Sequence, residues 1–299
     1  MTGSTGFIGK KIVECLIDRG HLVTSIIRNA GKKKLFDSNK NHSFIISSIS
    51  DFSPSLVNAF GEADIILHCA GSVKGRSPDD FKTANIDAIR NFANLAKRFA
   101  NGPGFILISS MAASQPRLSD YSFSKWKGEQ VLYSSSFKWV ILRPTAVYGP
   151  GDKALTPLLK MIARGVCPDI FRAFQKLSIL HIDDLALDVL EIVQNFEKYL
   201  FKKIEIHDGK VNGYQWSEII KALRGNKTLV IIPIPIKVLK LIAVINYYLS
   251  VIVGYKPMLT LGKLRELHYP DWRCDSSLKY LETRLKNRIT LDCNSSRFL

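Results

Sequence analysis

Through the first half of the chain, short apolar runs alternate with longer stretches in which apolar residues recur every three or four positions. Residues 22–27, 43–47, 64–68, 105–109 and 139–142 are β-branched or apolar and are bounded by polar residues or glycine, the pattern of strands. Residues 9–19 and 81–99 carry the helical period. This alternation predicts an α/β fold, a doubly wound parallel sheet with helices on both faces. After Pro150 the pattern loosens: helices are expected near 155–164, 184–196 and 216–223, and one strand near 203–207. The organisation expected is a nucleotide-binding domain over 1–150, with 178–208 returning to it. A smaller, mostly helical substrate lobe would cover 151–177 and 209–275, leaving 276–299 as a tail.

The most apolar part is 229–255. Pro233, Pro235, Lys237 and Lys240 interrupt it, and the run after Lys240 ends near Val253, short of the roughly 20 residues of a spanning helix. The expectation is a buried or lobe-capping helix. An interfacial helix, with Lys237 and Lys240 facing anionic headgroups in a weak membrane-surface association, is the alternative.

Glycines recur at three-residue intervals in Thr2-Gly3-Ser4-Thr5-Gly6-Phe7-Ile8-Gly9, where a helix begins. Glycine lets backbone amides approach a pyrophosphate, and a helix N-terminus offers unpaired N–H groups. The strand at 22–27 completes the βαβ unit of a dinucleotide site. At its end stands Arg28, followed by Lys32, Lys33 and Lys34, where a carboxylate would otherwise bind a ribose hydroxyl. Cations there suit a 2′-phosphate and favour NADP(H) over NAD(H), although ordinary solvated cations would look the same.

Tyr121 and Lys125 are four residues apart in a segment that reads as helical, so they share one face. An ammonium near a phenol favours the phenolate, which would let Tyr121 exchange a proton with an alcohol or carbonyl. Ser110, after the strand at 105–109, would steady the substrate oxygen, with Ser109 as the fallback.

With these residues the chain resembles the extended short-chain dehydrogenase/reductases, the NAD-dependent epimerase/dehydratase group. The resemblance runs from Gly3, Gly6 and Gly9 through Ser109-Ser110, Tyr121 and Lys125 to Arg143-Pro144-Thr145-Ala146-Val147-Tyr148-Gly149-Pro150-Gly151 and His181-Ile182-Asp183-Asp184. It implies a Rossmann-type fold with Tyr121 as general acid/base, Lys125 on the nicotinamide ribose and Ser110 orienting the substrate carbonyl. It also implies cofactor contacts from Thr5, Phe7 and Ile8 in the turn, from Asp51 at the adenine, and from Ala70 and Gly71 after His68-Cys69. Asn85 would support the site from behind, Pro144 and Val147 would flank the nicotinamide, and homodimers would form beside the Tyr-Lys helix.

Two departures refine this. Nucleotide-sugar enzymes of the group usually place an arginine before the strand that ends in the acidic pair; here the segment is Leu177-Ser178-Ile179-Leu180-His181. The expected activity is therefore hydride transfer between NADP(H) and a secondary alcohol or ketone of an apolar small molecule, as in dihydroflavonol and 3β-hydroxysteroid enzymes. A nucleotide-sugar epimerase or dehydratase with bound NAD, and a non-catalytic scaffold, are the alternatives. Relatives also carry a full strand before the first glycine, whereas only Met1 and Thr2 precede Gly3. The first strand thus reads as truncated, and a start roughly five to eight residues upstream is expected.

Charge and cysteines change the picture little. The net charge of +16 suits nucleic acid, an anionic membrane or phosphorylated molecules, but no aromatic-basic motif supports a nucleic-acid partner. Five cysteines without CxxC spacing, and His68 and His181 without ligand spacing, argue against a disulfide framework and a metal site. Cys69 reads as a small buried residue and Asp183-Asp184 as a helix cap. Without a secretory signal pattern, the expected location is the cytoplasm.

Overall fold

The computed structural model describes residues 1–50, 52–170, 174–210, 212–225 and 227–274. The first half contains α1 (Phe7–Asp18), β1 (Val23–Ile27), β2 (His42–Ile46), α2 (Pro54–Gly61), β3 (Ile65–His68), α3 (Pro78–Lys82), α4 (Ala88–Ala96), β4 (Gly104–Ile108), α5 (Asp120–Tyr133) and β5 (Trp139–Pro144). The second half adds β6 (Ala146–Tyr148), α6 (Leu155–Ala163), β7 (Val166–Asp169), β8 (Lys176–Leu177), β9 (Ile179–His181), α7 (Ile182–Gln194) and β10 (Lys203–Ile206). It closes with β11 (Tyr214–Gln215), α8 (Trp216–Arg224), β12 (Val230–Pro233), α9 (Ile236–Val253), α10 (Leu261–Leu267) and β13 (Asp271–Trp272).

The main sheet is parallel and Rossmann-type: β2 pairs with β1, while β3, β4, β5 and β10 follow in order. Thr2 joins the two halves through bridges to Ile26 of β1 and His68 of β3. The amide of Thr2 donates to the Leu67 carbonyl at 3.0 Å, and the Ile26 amide donates to the Met1 carbonyl at 2.8 Å.

Side chains of the central strands alternate between two cores, as the period of two requires. Ile106, Ile108, Val140 and Leu142 join Ile12, Val13 and Leu16 of α1 and Leu185 and Val189 of α7. Phe105, Leu107 and Ile141 turn the other way, onto Phe60, Ile89, Phe92 and Leu132. Burial on both faces explains why these strands read as continuous apolar runs.

The lobe packs α6 and α8 around Leu159, Ile162, Trp216 and Ile219. Beside its helices it holds two small sheets, β7 with β12 and β8 between β11 and β13. Strands of two to four residues show too little alternation to be read from sequence. The helix expected over 81–99 is also interrupted: residues Thr83–Asp87 form a π-turn between α3 and α4. One extra residue per turn re-aims a side chain without breaking the apolar period on either side, and π-turns recur at functional sites.

Two expectations are corrected here. Asp183 and Asp184 do not cap α7; the His181 side chain accepts from the Asp183 amide at 3.3 Å, and the two carboxylates occupy the first turn, where the helix dipole favours them. Of the two forms expected for 229–255, buried or lobe-capping, α9 is not the buried one. Only Leu239, Ala243 and Ser250 of its 18 residues are buried, whereas Leu241 is 59% exposed and Ile252 81%. A helix that is apolar all round has the same sequence pattern in a core and on a surface.

Candidate active site

The glycine turn packs against the end of β3 and opens α1. Gly3 has φ +74°, and a Cβ there would lie 2.4 Å from the Ala70 amide nitrogen; one at Gly9 would lie 2.1 Å from the Gly3 carbonyl oxygen. The fold itself thus requires both glycines. A Cβ at Gly6 would approach only the Gly3 carbonyl, at 3.3 Å. Gly6 is the N-cap of α1, with no side-chain cap and no acidic residue in the first turn, so the first amides remain open to an anion. Beside them the Ser4 hydroxyl is buried without a hydrogen-bond partner among the described residues. Thr5, Phe7 and Ile8 are half-buried or exposed on this turn, and the Gly149-Pro150-Gly151 loop reaches it, since a Cβ at Gly151 would lie 3.5 Å from the Phe7 ring.

From this turn the chain of contacts leads along β3 to the Tyr-Lys helix. His68 is fixed by the Thr2 hydroxyl at 2.8 Å from its Nδ1, and burial lowers its pKa to about 3, so the ring is neutral. Cys69 is half-buried and burial pushes its thiol up to about 12, which removes it as a nucleophile at neutral pH. Next comes Gly71, where a Cβ would lie 3.0 Å from the Asn85 carboxamide oxygen and 3.8 Å from Lys125 Nζ. Asn85, aimed by the π-turn, donates to Ser124 Oγ at 2.8 Å and to the Ser72 carbonyl at 3.1 Å, and accepts from the Ser72 amide at 3.0 Å. The open amides of α1, Gly71 and Lys125 thus follow one another at the ends of the central strands, an arrangement that fits an extended dinucleotide.

Helix α5 starts at Ser119, whose hydroxyl accepts from the Ser122 amide at 2.9 Å. Tyr121 and Lys125 follow on one face, and the Ser110 hydroxyl, accepting from the Ala112 amide at 3.2 Å, hydrogen-bonds the Tyr121 phenol. The structure thus brings Ser110, Tyr121 and Lys125 to the C-terminal end of β4. Their electrostatics differ from the expectation. Burial raises the Tyr121 phenol to about 12, outweighing the Ser110 contact, and Lys125 Nζ donates instead to the Ile108 carbonyl at 2.8 Å. The ammonium is committed to the strand end, so it does not offset the cost of a buried phenolate.

Lys125 is itself strained by burial, which lowers its pKa from 10.5 to about 8. Between those values the unfolded chain binds more protons than the folded one, so stability rises with pH across that window. We expect Lys125→Met to be more stable than the wild type at pH 7 by about 1–3 kcal/mol, with the gap closing as pH rises from about 8 to 10.5. Thermal melts of both proteins across that range check this, and equal melting at every pH would refute it.

Sequence reading missed the group that holds this helix to the sheet. Glu129, one turn beyond Lys125, is fully buried; it accepts from Ser109 Oγ at 2.5 Å and from Arg143 Nε and Nη2 at 2.9 and 2.6 Å. Arg143 also lies 3.7 Å from Glu205 of β10. The spacing of eight from Tyr121 was the available signal. The Ser109 hydroxyl is thus engaged by Glu129, whereas that of Ser110 meets the Tyr121 phenol. Glu266 of α10 was also missed: it accepts from Ser119 Oγ, from Ser122 Oγ at 3.3 Å and from Lys263 Nζ at 2.8 Å, tying the lobe to the start of α5.

Other expected residues are placed as follows. Arg28 is exposed at the end of β1 with no ionic or hydrogen-bonding partner among the described residues, and Lys32, Lys33 and Lys34 are exposed on the next turn. Pro144 ends β5, and Val147 in β6 packs against the same core as Phe7, Ile8 and Cys69. Asp51 and the tail 276–299 lie outside the described residues. Cys15, Cys69, Cys167 and Cys274 are free, and no group of metal-ligand residues occurs among the described residues.

Tyr121 also lines a pocket of about 370 Å³. Its walls are the 73–81 segment, the start of α5, α9 through Ala243, Val244, Tyr247 and Tyr248, and the 257–266 segment. The pocket's cations are engaged by the protein: Arg76 with Asp80, Lys263 with Glu266, and Arg265 with the Leu118 carbonyl.

Comparison with known proteins agrees with this geometry. Residues 3–156 match the family model described as NAD(P)H-binding. A ceramide reductase from Caulobacter vibrioides is 27% identical over 281 residues, covering 93% of this chain and 86% of that protein. A decarboxylating sterol-4-alpha-carboxylate 3-dehydrogenase from Saccharomyces cerevisiae is 25% identical over 195 residues, 54% of each protein. UDP-glucuronic acid 4-epimerase from Bacillus cereus, solved with UDP-glucuronic acid and NAD, shares the fold with a TM-score of 0.65 at 20% identity, over 90% of this chain and 96% of that one. The chain belongs to the NAD(P)H-binding family as an extended short-chain dehydrogenase/reductase, an NAD(P)-dependent enzyme.

Proposed function

We propose that this enzyme is an NADP(H)-dependent oxidoreductase that moves a hydride between nicotinamide and a secondary alcohol or ketone on an apolar, lipid-like molecule. The observation that carries this reading is the pocket at Tyr121, walled by the apolar helix α9, with its cations already paired to protein groups. A nucleotide-sugar substrate would need free cations for its diphosphate. The ceramide reductase and sterol dehydrogenase relatives, both named for apolar substrates, support the same class.

When bound, the cofactor supplies or accepts the hydride. The open first-turn amides of α1 would hold its pyrophosphate, and the exposed Arg28 and Lys32–Lys34 would pair with a 2′-phosphate. Lys125 would hold the nicotinamide ribose, and Pro144 and Val147 would flank the ring. Tyr121, held near pKa 12, keeps its proton at neutral pH, which suits it to donate to a carbonyl oxygen during reduction. The Ser110 hydroxyl orients that oxygen and then steadies the phenolate left behind.

The test is consumption of NADPH by the purified protein on addition of long-chain ketones, compared with NADH. NADPH is expected to be preferred, and Arg28→Asp to reverse the preference. NADH preferred by the wild type would overturn the cofactor assignment. Interconversion of UDP-sugars without net cofactor consumption, and no turnover of any apolar ketone, would overturn the substrate class.

A further inference from the structure

More than half of the large apolar side chains exposed among the described residues lie within 230–255, on β12 and α9. Soluble monomers rarely expose a contiguous apolar patch of this extent. The helix is fastened to the fold by one narrow stripe. Leu239, Ala243 and Ser250 are buried, and Asn246, on the same face, donates to the Leu259 carbonyl at 3.0 Å. The opposite faces carry Leu241, Ile245, Leu249 and Ile252 outward, at 48–81% exposure.

Charge identifies what covers this face. From Ile219 to Arg265 the chain has eight lysines and arginines and no aspartate or glutamate. Lys237 and Lys240, on the first turns of α9, are exposed and have no ionic partner among the described residues. A second copy docked through the same face would bring cations and no carboxylate from 219–265 to pair with them, whereas anionic lipid headgroups neutralise them. The apolar side chains between would enter the acyl boundary, as in interfacial helices.

By length and composition α9 is also able to cross a bilayer, its 18 residues spanning about 27 Å. Its connections oppose that. β12 before it pairs with β7, and after it Gly254 turns the chain back at φ +84°, Tyr255 hydrogen-bonds Asn246, and Lys256 pairs with Asp80 at 2.7 Å. Both ends are thus held on the body of the protein, with the helix lying along it.

We infer that α9 and β12 form a docking surface that lies in the headgroup boundary of an anionic membrane. Because Val244, Tyr247 and Tyr248 of the same helix wall the Tyr121 pocket, docking sets the pocket mouth at the lipid phase. The second statement rests on the proposed lipid-like substrate; the docking itself does not.

The experiment is flotation of the full-length protein with vesicles of mixed phosphatidylglycerol and phosphatidylcholine, against phosphatidylcholine alone. Binding to the anionic vesicles is expected, weakening as salt screens it. Lys237→Glu with Lys240→Glu should weaken binding about 25-fold or more, each cation near such a surface contributing roughly fivefold and the carboxylates adding repulsion. Ile245→Asp with Ile252→Asp should abolish it while leaving the melting temperature unchanged, since both side chains are exposed. Absence of vesicle binding, or binding indifferent to both pairs of substitutions, overturns the inference. So does a solution dimer that the aspartate pair dissociates without any vesicle binding, which would make the patch an interface between copies. Resistance of α9 to alkaline extraction from membranes of expressing cells would likewise overturn it, in favour of a spanning helix. None of these readouts depends on turnover, so failure of docking and failure of the substrate reading are distinguishable.

Discussion

Replacing Tyr121 with phenylalanine is expected to lower kcat about 10²–10⁴-fold at saturating substrate while leaving cofactor affinity nearly unchanged. The substitution removes one hydroxyl from the proton path. The ring's contact with Phe81, with centroids 6.2 Å apart, survives, and the helix cap at Ser119 is untouched. Without the phenol, Ser110 loses its hydrogen-bond partner and the proposed proton donor is gone. Steady-state kinetics beside cofactor titration separate the two effects. Retained kcat in Tyr121→Phe would remove Tyr121 from the mechanism, and a parallel loss of cofactor affinity would mean that the ring shapes the binding floor.

The largest effect on stability is expected at Glu129. Glu129→Ala leaves the Arg143 guanidinium, 7% exposed, with Glu205 at 3.7 Å as its one ionic partner among the described residues, and strips Ser109 of its acceptor. Removing one partner of a buried pair costs about 3–5 kcal/mol because the other charge stays desolvated. For a chain of 299 residues this corresponds to a fall of roughly 10 °C in melting temperature. Removing both members of the pair, as in Glu129→Met with Arg143→Met, should restore part of the loss, the Glu205 carboxylate then lacking the Arg143 cation. Single and double variants that melt alike would show that the pair is not what holds α5 to β4 and β5. Activity should fall further than the folded fraction does, since Lys125 lies one turn from Glu129 and Tyr121 two.

The glycine turn and the Tyr-Lys spacing were legible because each is a local statement. Gly3 and Gly9 are needed where the turn meets Ala70 and its own carbonyl, and a spacing of four sets Tyr121 beside Lys125 on any helix. The residues around them were less legible. A buried carboxylate such as Glu129 looks, in sequence, like any polar position on a helix, and its partners Ser109 and Arg143 come from two different strands. The same holds for Glu266, which reaches Ser122 across 144 residues.

The sequence by itself determined the parallel sheet β1–β5 with its flanking helices, the dinucleotide turn and the Tyr121–Lys125 face. The apolar periods and the glycines are properties of neighbouring residues, and the backbone has few ways to satisfy them. Only the tertiary structure decided that Lys125 donates to Ile108 rather than relieving the phenol, that His181 rather than an aspartate caps α7, and that α9 turns most of its side chains outward. Hydrophobicity along a segment records how strongly it avoids water. Which surface covers it, and which charge a buried donor meets, depends on elements far away in the chain that arrive only when the fold closes.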